Sequence, residues 1–352
     1  MGAADWAAAL GPAPVLVTGA AGFVGYHLAE RLLAAGVSVV GYDDVNPYYD
    51  VSLKRARLAR LAGREGFRFV EAGLEDAEAL SRVFEEARPL YVAHLAAQAG
   101  VRYSIENPAA YGASNLTGFL NILECCRRAD VAHLVYASSS SVYGAEGRAP
   151  FTERRSVDHP LSLYAATKKA NEAMAHSYAH VHGLPCTGLR FFTVYGPWGR
   201  PDMAYFLFAE AIEAGRPIRL FNEGRMERDF TYIDDVTEGV ARLLPRPAAP
   251  DPDFDRAAPD PSRSFAPWRV FNIGNRRMER LGALVSILER EIGRKAVIEL
   301  APMQPGDVER TWADVSGLME EVGFRPDTPL EEGLRRFVAW WRDWKAGAYR
   351  AD

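Results

Sequence analysis

Two side chains four residues apart, in Tyr164-Ala-Ala-Thr-Lys168, place a phenol and an ammonium on one face of a helix. A phenol is a weak base at neutral pH, with an ordinary pKa of about 10. A cation beside it favours the phenolate, which can then take a proton from a hydroxyl. Such a pair alone is common on helix surfaces, so its context matters. Upstream, an apolar run ends in Ser138-Ser139-Ser140-Ser141-Val-Tyr-Gly144, which offers Ser139 as a hydroxyl to steady a reacting oxygen.

A second chemical feature lies near the start of the chain. Val15-Leu-Val17 and Thr18 lead into Gly19-Ala-Ala-Gly22-Phe23-Val24-Gly25, and Val24, Leu28 and Leu32 then recur at helical spacing. Small residues at a strand-to-helix turn let the backbone approach a pyrophosphate, and the helix N-terminus supplies N–H groups and a positive dipole end. Asp43-Asp44 follows about 20 residues on, where a carboxylate accepts from adenosine ribose hydroxyls and repels a 2′-phosphate. The expected cofactor is NAD rather than NADP.

Positioning these groups requires an alternation of strands and helices. Residues 15–17, 37–42, 67–70, 91–95, 133–137 and 187–192 read as strands separated by amphipathic stretches, with 269–273 as one more strand of the same sheet. That alternation predicts an α/β fold, a Rossmann-type doubly wound parallel sheet with helices on both faces. Residues 244–267, rich in Pro, Asp and Ala without apolar period, read as a mobile surface loop. Amphipathic helices at 281–292 and 330–344 suggest a smaller C-terminal lobe over the sheet. The division expected is an NAD-binding domain of 13–195 with 230–275, and a substrate-binding lobe of 196–229 with 276–345.

Composition narrows the classes. A net charge of -5 disfavours nucleic acid as the main partner, because phosphate backbones need a basic surface, while leaving room for a local arginine cluster that binds a small anion. No apolar run reaches the roughly 20 residues that span a bilayer, and the Ala-rich N-terminus lacks the pattern of a signal peptide. Cys125, Cys126 and Cys186 form neither a disulfide framework nor a zinc-ligand spacing. A cytoplasmic protein without a metal is expected.

The Gly-x-x-Gly-x-x-Gly turn, the Ser139…Tyr164-x-x-x-Lys168 arrangement and His94-Leu95-Ala96-Ala97 together resemble the extended short-chain dehydrogenase/reductase superfamily. The resemblance implies catalysis by Ser139, Tyr164 and Lys168. It also implies cofactor contacts from Gly19, Gly22, Phe23, Val24, Gly25, Asp43, Asp44, Leu74, Leu95, Ala96, Ala97 and Asn115, as well as Tyr164 and Lys168. One departure is Gly73, where the family usually has an Asp that contacts the adenine amine. The superfamily's habit of pairing helices that begin near Tyr111 and Tyr164 implies a homodimer.

Neighbouring residues separate the subfamilies. Dehydratases carry acidic residues beside the catalytic Ser, and UDP-glucuronate decarboxylases carry a Glu just before Val-Tyr-Gly; here Ser140 and Ser141 stand there. Arg190-Phe-Phe-Thr193-Val-Tyr-Gly-Pro-Trp-Gly-Arg200-Pro-Asp-Met203 and Ala97-Gln-Ala-Gly-Val-Arg102-Tyr-Ser104 resemble the UDP-glucuronate 4-epimerases, from about residue 15 to 323. That likeness implies interconversion of UDP-glucuronate and UDP-galacturonate through a 4-keto intermediate with tightly bound NAD. Arg200 would pair with the sugar carboxylate while Ser140, Ser141 and Thr193 donate to it. Arg228 matches a diphosphate-binding position, Arg219 and Phe221 are candidates around the uridine, and Gln304 and Asp307 match a further substrate segment. A substrate, cofactor or loop role remains open for Arg102. The alternatives are a UDP-glucose/UDP-galactose-type 4-epimerase, a UDP-glucuronate decarboxylase, and a non-catalytic NAD-binding regulator.

Overall fold

The computed structural model describes residues 3–303 and 308–349. Twelve strands occur among them: β1 Val15–Thr18, β2 Val39–Asp43, β3 Phe67–Glu71, β4 Tyr91–His94, β5 His133–Ser139, β6 Cys186–Phe191, β7 Thr193–Tyr195, β8 Pro217–Phe221, β9 Glu227–Tyr232, β10 Trp268–Ile273, β11 Met278–Arg280 and β12 Val297–Ala301. Seven of them form one sheet ordered β10-β6-β5-β4-β1-β2-β3, every pairing parallel. This is the doubly wound sheet the alternation predicted. The strand expected last in the chain, β10, closes its edge against β6.

Alternation within each strand explains the two layers of helices. Val15 and Val17 of β1 enter one apolar core with helices Phe23–Ala34 and Ile233–Leu243, while Leu16 enters another with Ala77–Ala87 and Gly118–Arg128. The strand order reverses between β1 and β4, which leaves a crevice above their carboxyl ends.

The remaining strands build small sheets: β11-β9-β7 and the parallel pair β12-β8. β7 and β11 have only three residues each, and β8, β9 and β12 stand outside the strand–helix alternation that marks the main sheet, so only the helices of the lobe were legible. Those helices are Leu281–Ile292 and Leu330–Lys345, joined by Ala204–Ala214. Leu334, Phe337 and Trp341 enter the same core as Tyr26 and Leu32. The lobe is therefore packed onto the sheet through shared apolar contact.

Residues 244–267 carry no helix and no regular strand, but they are anchored. Asp251 N donates to Ser264 O, Val270 N donates to Ser262 O, and Ser262, Ser264 and Ala266 are buried. Among the described residues no helix is long and apolar enough to cross a membrane.

Candidate active site

The end of β5 and the start of helix Leu163–His182 meet in a buried seam. Ser162 caps that helix, its hydroxyl accepting from Ala165 N at 3.1 Å, so Tyr164 lies in the first turn and Lys168 one turn later. Lys168 Nζ donates to Ala137 O at 2.8 Å, and Ser138 donates to Glu172 Oε1 at 2.7 Å. Glu172 in turn accepts from Nε and Nη2 of Arg190 from β6, each at 2.9 Å. Arg190 and Glu172 are almost wholly buried, and removing either partner of such a pair costs about 3–5 kcal/mol. Three links, Lys168 to Ala137, Ser138 to Glu172 and Glu172 to Arg190, thus fix the helix to the sheet beneath Tyr164.

The electrostatics of the seam are opposed. Burial raises the Tyr164 phenol above its usual value, and the Ser139 hydrogen bond and the charge of Arg200 pull it back in part. Burial lowers Lys168 to about 8. His94 beneath them is lowered to about 3 by burial and by the Lys168 charge, so it is neutral at pH 7. Its Nδ1 lies 2.8 Å from Thr18 Oγ1, which also accepts from Ala96 N at 3.2 Å. The last residue of β1 is thereby tied to the loop after β4.

Ser139 is extended, and its Oγ accepts from Ser141 N at 3.1 Å, starting the tight turn Ser140–Tyr143. Gly144 ends that turn at φ +53, with a Cβ position only 1.9 Å from His159 O, so a side chain has no room there.

The glycine turn has the shape a dinucleotide needs. Gly19 sits at φ +75, and a Cβ on it would lie 2.7 Å from Ala96 N; one on Gly25 would lie 2.1 Å from Gly19 O. With hydrogen at these positions the turn closes tightly, and the helix Phe23–Ala34 points its N-terminus into the cleft. Asp43 is buried at the end of β2, accepting from Ala21 N at 3.1 Å and Val45 N at 2.8 Å. Its carboxyl is held above the ordinary value by burial, against the pull of Lys54.

One cleft brings together Gly19, Gly22, Phe23, Val24, Gly25, Asp43, Asp44, Leu74, Leu95, Ala96, Ala97, Ser139, Tyr164, Lys168 and Arg200. Asn115 is absent from its wall. Its side chain instead exchanges hydrogen bonds with the backbone of Gln98 and donates to Thr167 Oγ1, holding the loop after β4 against the catalytic helix. Ser140, Ser141 and Thr193 flank the wall residues Ser139 and Phe192 without lining the wall themselves. Arg102 lies over the Phe221 ring at 5.2 Å, outside the wall. Arg219 is exposed and paired with Glu299, and Arg228 donates to the carbonyls of Glu227 and Glu309. Gln304 and Asp307 fall outside the described residues. Beside Gly73 the carboxylate of Glu75 occupies the space of a side chain, 2.5 Å from the Cβ position.

The sequence reading missed wall residues contributed by the segment after β2, namely Asn46, Tyr48, Tyr49 and Lys54. The signal was a polar, aromatic stretch directly after Asp43-Asp44, at the rim of the sheet crevice. Ser114, Phe191 and Met203 were missed as well, and nothing in their local spacing marks them.

Residues 15–256 match the model of the NAD dependent epimerase/dehydratase family. UDP-glucuronate 4-epimerase 4 of Arabidopsis thaliana is 48% identical over 342 residues, 96% of this chain and 77% of that protein. Among solved structures, the UDP-glucuronic acid 4-epimerase of Bacillus cereus, in complex with UDP-glucuronic acid and NAD, superposes with a TM-score of 0.82. It is 31% identical, with 94% of this chain and 99% of that chain covered. The UDP-glucose 4-epimerase of Thermus thermophilus in complex with NAD gives 0.78 at 32% identity, with the same coverage.

The glycine geometry yields a direct test. The native chain is expected to co-purify with a dinucleotide, measured by absorbance after denaturation, and Gly25→Ala is expected to lose it. Gly63→Ala, in open space by its geometry, is expected to retain it. Full retention by Gly25→Ala would overturn the assignment of this turn to the pyrophosphate.

Proposed function

We propose that this chain, which belongs to the NAD dependent epimerase/dehydratase family, interconverts UDP-glucuronate and UDP-galacturonate by inverting C4 of the sugar. The observation that carries the reading is the convergence of Tyr164, Lys168 and Arg200 on the cofactor cleft, with no carboxylate at positions 140 and 141. Relatives named UDP-glucuronate 4-epimerase, matched over nearly the whole chain, support it. Fold likeness does not choose between uronate and hexose, since epimerases of both kinds superpose well. The side chains around the sugar make that choice.

NAD, when bound, accepts the C4 hydride and returns it, so the sugar passes through a 4-keto form and no cofactor is consumed. Tyr164 takes the C4 hydroxyl proton and later gives it back. Lys168 keeps a positive charge beside the phenol, and Ser139 donates to the reacting oxygen. Gly19, Gly22 and Gly25 would hold the pyrophosphate, Asp43 and Asp44 the adenosine ribose, and Leu74 the adenine, all of them lining one cleft. The UDP is held by the smaller lobe through Arg228, with Arg219, Phe221, Gln304, Asp307 and Arg102 as further contacts, while the sheet domain of 13–195 with 230–275 holds NAD. The sugar turns about its link to the anchored UDP and presents its other face.

The 4-keto sugar is a β-keto acid and tends to lose CO₂. Arg200 at the cleft wall, with Ser140, Ser141 and Thr193 just behind it as further donors once the sugar is bound, would hold the carboxylate so that its bond to C5 stays out of line with the carbonyl π system, which disfavours that loss. A glutamate at position 140 or 141 would add like charge beside the carboxylate.

The exposed apolar side chains Ile105, Leu120 and Leu163 lie on segments of the implied pairing face, and we assign a second copy of the chain as their partner, in a reducing cytoplasm that suits three unpaired buried thiols. Sedimentation is expected to return twice the 38.8 kDa chain mass; a monomer at micromolar concentration would refute the dimer.

Incubation with UDP-glucuronate and no added cofactor is expected to yield UDP-galacturonate. Turnover of UDP-glucose with none of UDP-glucuronate would sink the uronate assignment, and UDP-pentose with CO₂ would mark a decarboxylase. Tyr164→Phe is expected to lose about 10²–10⁴-fold in kcat while keeping its bound NAD. A Tyr164→Phe chain with unaltered turnover would remove the tyrosine from the chemistry.

The pH dependence follows from the opposed charges. Activity needs the phenolate, so kcat rises with pH as the Tyr164 proton leaves. On this reading the Lys168 ammonium, one helical turn away, favours the phenolate, so Lys168→Met is expected to move the acid limb upward by about 1 pH unit or more. An acid limb at the native position would mean that Lys168 does not act on the phenol.

A further inference from the structure

Arg200 already has a partner. Asp202 takes two of its donors side-on: Nε donates to Oδ1 at 3.0 Å and Nη2 to Oδ2 at 2.5 Å. A guanidinium carries five N–H groups, so this fork leaves both hydrogens of Nη1 and the outer one of Nη2 for another acceptor. Arg200 lines the cleft and Asp202 does not. The aspartate therefore backs the guanidinium and does not stand where a ligand would.

Asp202 is itself held. Tyr48 donates its hydroxyl to Oδ2 at 3.0 Å, and the Arg200 guanidinium lies over the Tyr48 ring at 5.9 Å. That ring also packs against Tyr103, with 4.8 Å between centroids. Gly100 makes the room: a Cβ there would sit 2.6 Å from the Tyr48 hydroxyl.

Tyr48 belongs to the segment that leaves the ribose-binding end of β2. Asp44 accepts from Asn46 N, Asn46 accepts from Tyr48 N, and Lys54 Nζ donates to Asn46 twice, so the segment is braced internally. Further along it, the buried Arg57 donates to Ala21 O at 2.8 Å inside the glycine turn. The same side chain reaches Trp198 O at 2.5 Å and Gly199 O at 3.2 Å. One segment thus grips the Arg200 loop on both sides, by carbonyls just before the arginine and by the carboxylate just after it.

We propose that Asp202 and Tyr48 are positioning residues that fix the free edge of Arg200 for the carboxylate of an acidic sugar, and so set the preference for uronate over neutral hexose. This rests on the reading of the substrate as a UDP-uronate. A guanidinium already locked by a side-on fork loses little rotamer freedom when its end-on edge takes a second carboxylate. A neutral hexose makes no use of that edge, so loss of the fork penalises only the acidic ligand. Burial opposes ionisation of Asp202, and the Arg200 charge and hydrogen bonds outweigh it, holding the carboxyl below its ordinary value. The fork therefore stays charged through neutral pH.

The test uses NAD-loaded protein in the Tyr164→Phe background, where no turnover intrudes, and reads the affinities of UDP-glucuronate and UDP-glucose by calorimetry. Asp202→Asn, which removes the charge that holds Arg200, is expected to weaken UDP-glucuronate about tenfold, and Tyr48→Phe, which removes one brace behind that charge, about threefold. UDP-glucose affinity is expected to stay within about twofold in both. Equal weakening of the two sugars overturns the proposal, because it marks general damage to the loop. Tighter binding of UDP-glucuronate by Asp202→Asn also overturns it, because Asp202 would then compete with the sugar. If Asp202→Asn fails to fold, Tyr48→Phe, which removes one hydroxyl, decides alone. Failure of the native enzyme to turn over UDP-glucuronate would defeat the substrate reading; native turnover with unchanged preference in the variants would defeat only this inference.

Discussion

The contact on which the site depends is the seam between the end of β5 and helix Leu163–His182. Lys168 on the Ala137 carbonyl and Ser138 on Glu172 tie helix to strand, and Glu172 on Arg190 carries the tie to β6. Because the ion pair is dry and fork-shaped, it fixes rotation as well as distance. The phenol of Tyr164 can be aimed only because the helix bearing it cannot slide along the sheet.

That rigidity has an electrostatic cost that the reaction uses. In the same pocket burial raises the phenol and lowers the ammonium to about 8, so at neutral pH the lysine keeps its charge while the phenol holds its proton.

The groups proposed to meet the sugar lie on a different part of the molecule. The turn after β5 supplies hydroxyls and no acid, and the loop after β7 supplies a cation with two donors already committed. The segment after β2 reaches both the glycine turn and that loop, through Arg57 and Tyr48. Cofactor site and sugar site are consequently built on shared supports.

The sequence by itself determined the seven-stranded sheet, the glycine turn and the Tyr164–Lys168 pair, because each is local: a period of two or of 3.6, or a motif within a few residues of a strand end. It also carried the likeness that names the substrate class. Only the tertiary structure decided which residues share the cleft. It turned Asn115 from a cleft residue into a brace for the loop after β4, and it left Arg219 paired on the surface with Glu299. It brought Tyr48 to Asp202 across more than 150 positions of chain, and Arg57 to Trp198 across more than 140. Such contacts leave no periodic trace, since a side chain's partner across the sheet crevice is set by strand order and by packing of the lobe, and neither is written in the spacing of neighbours.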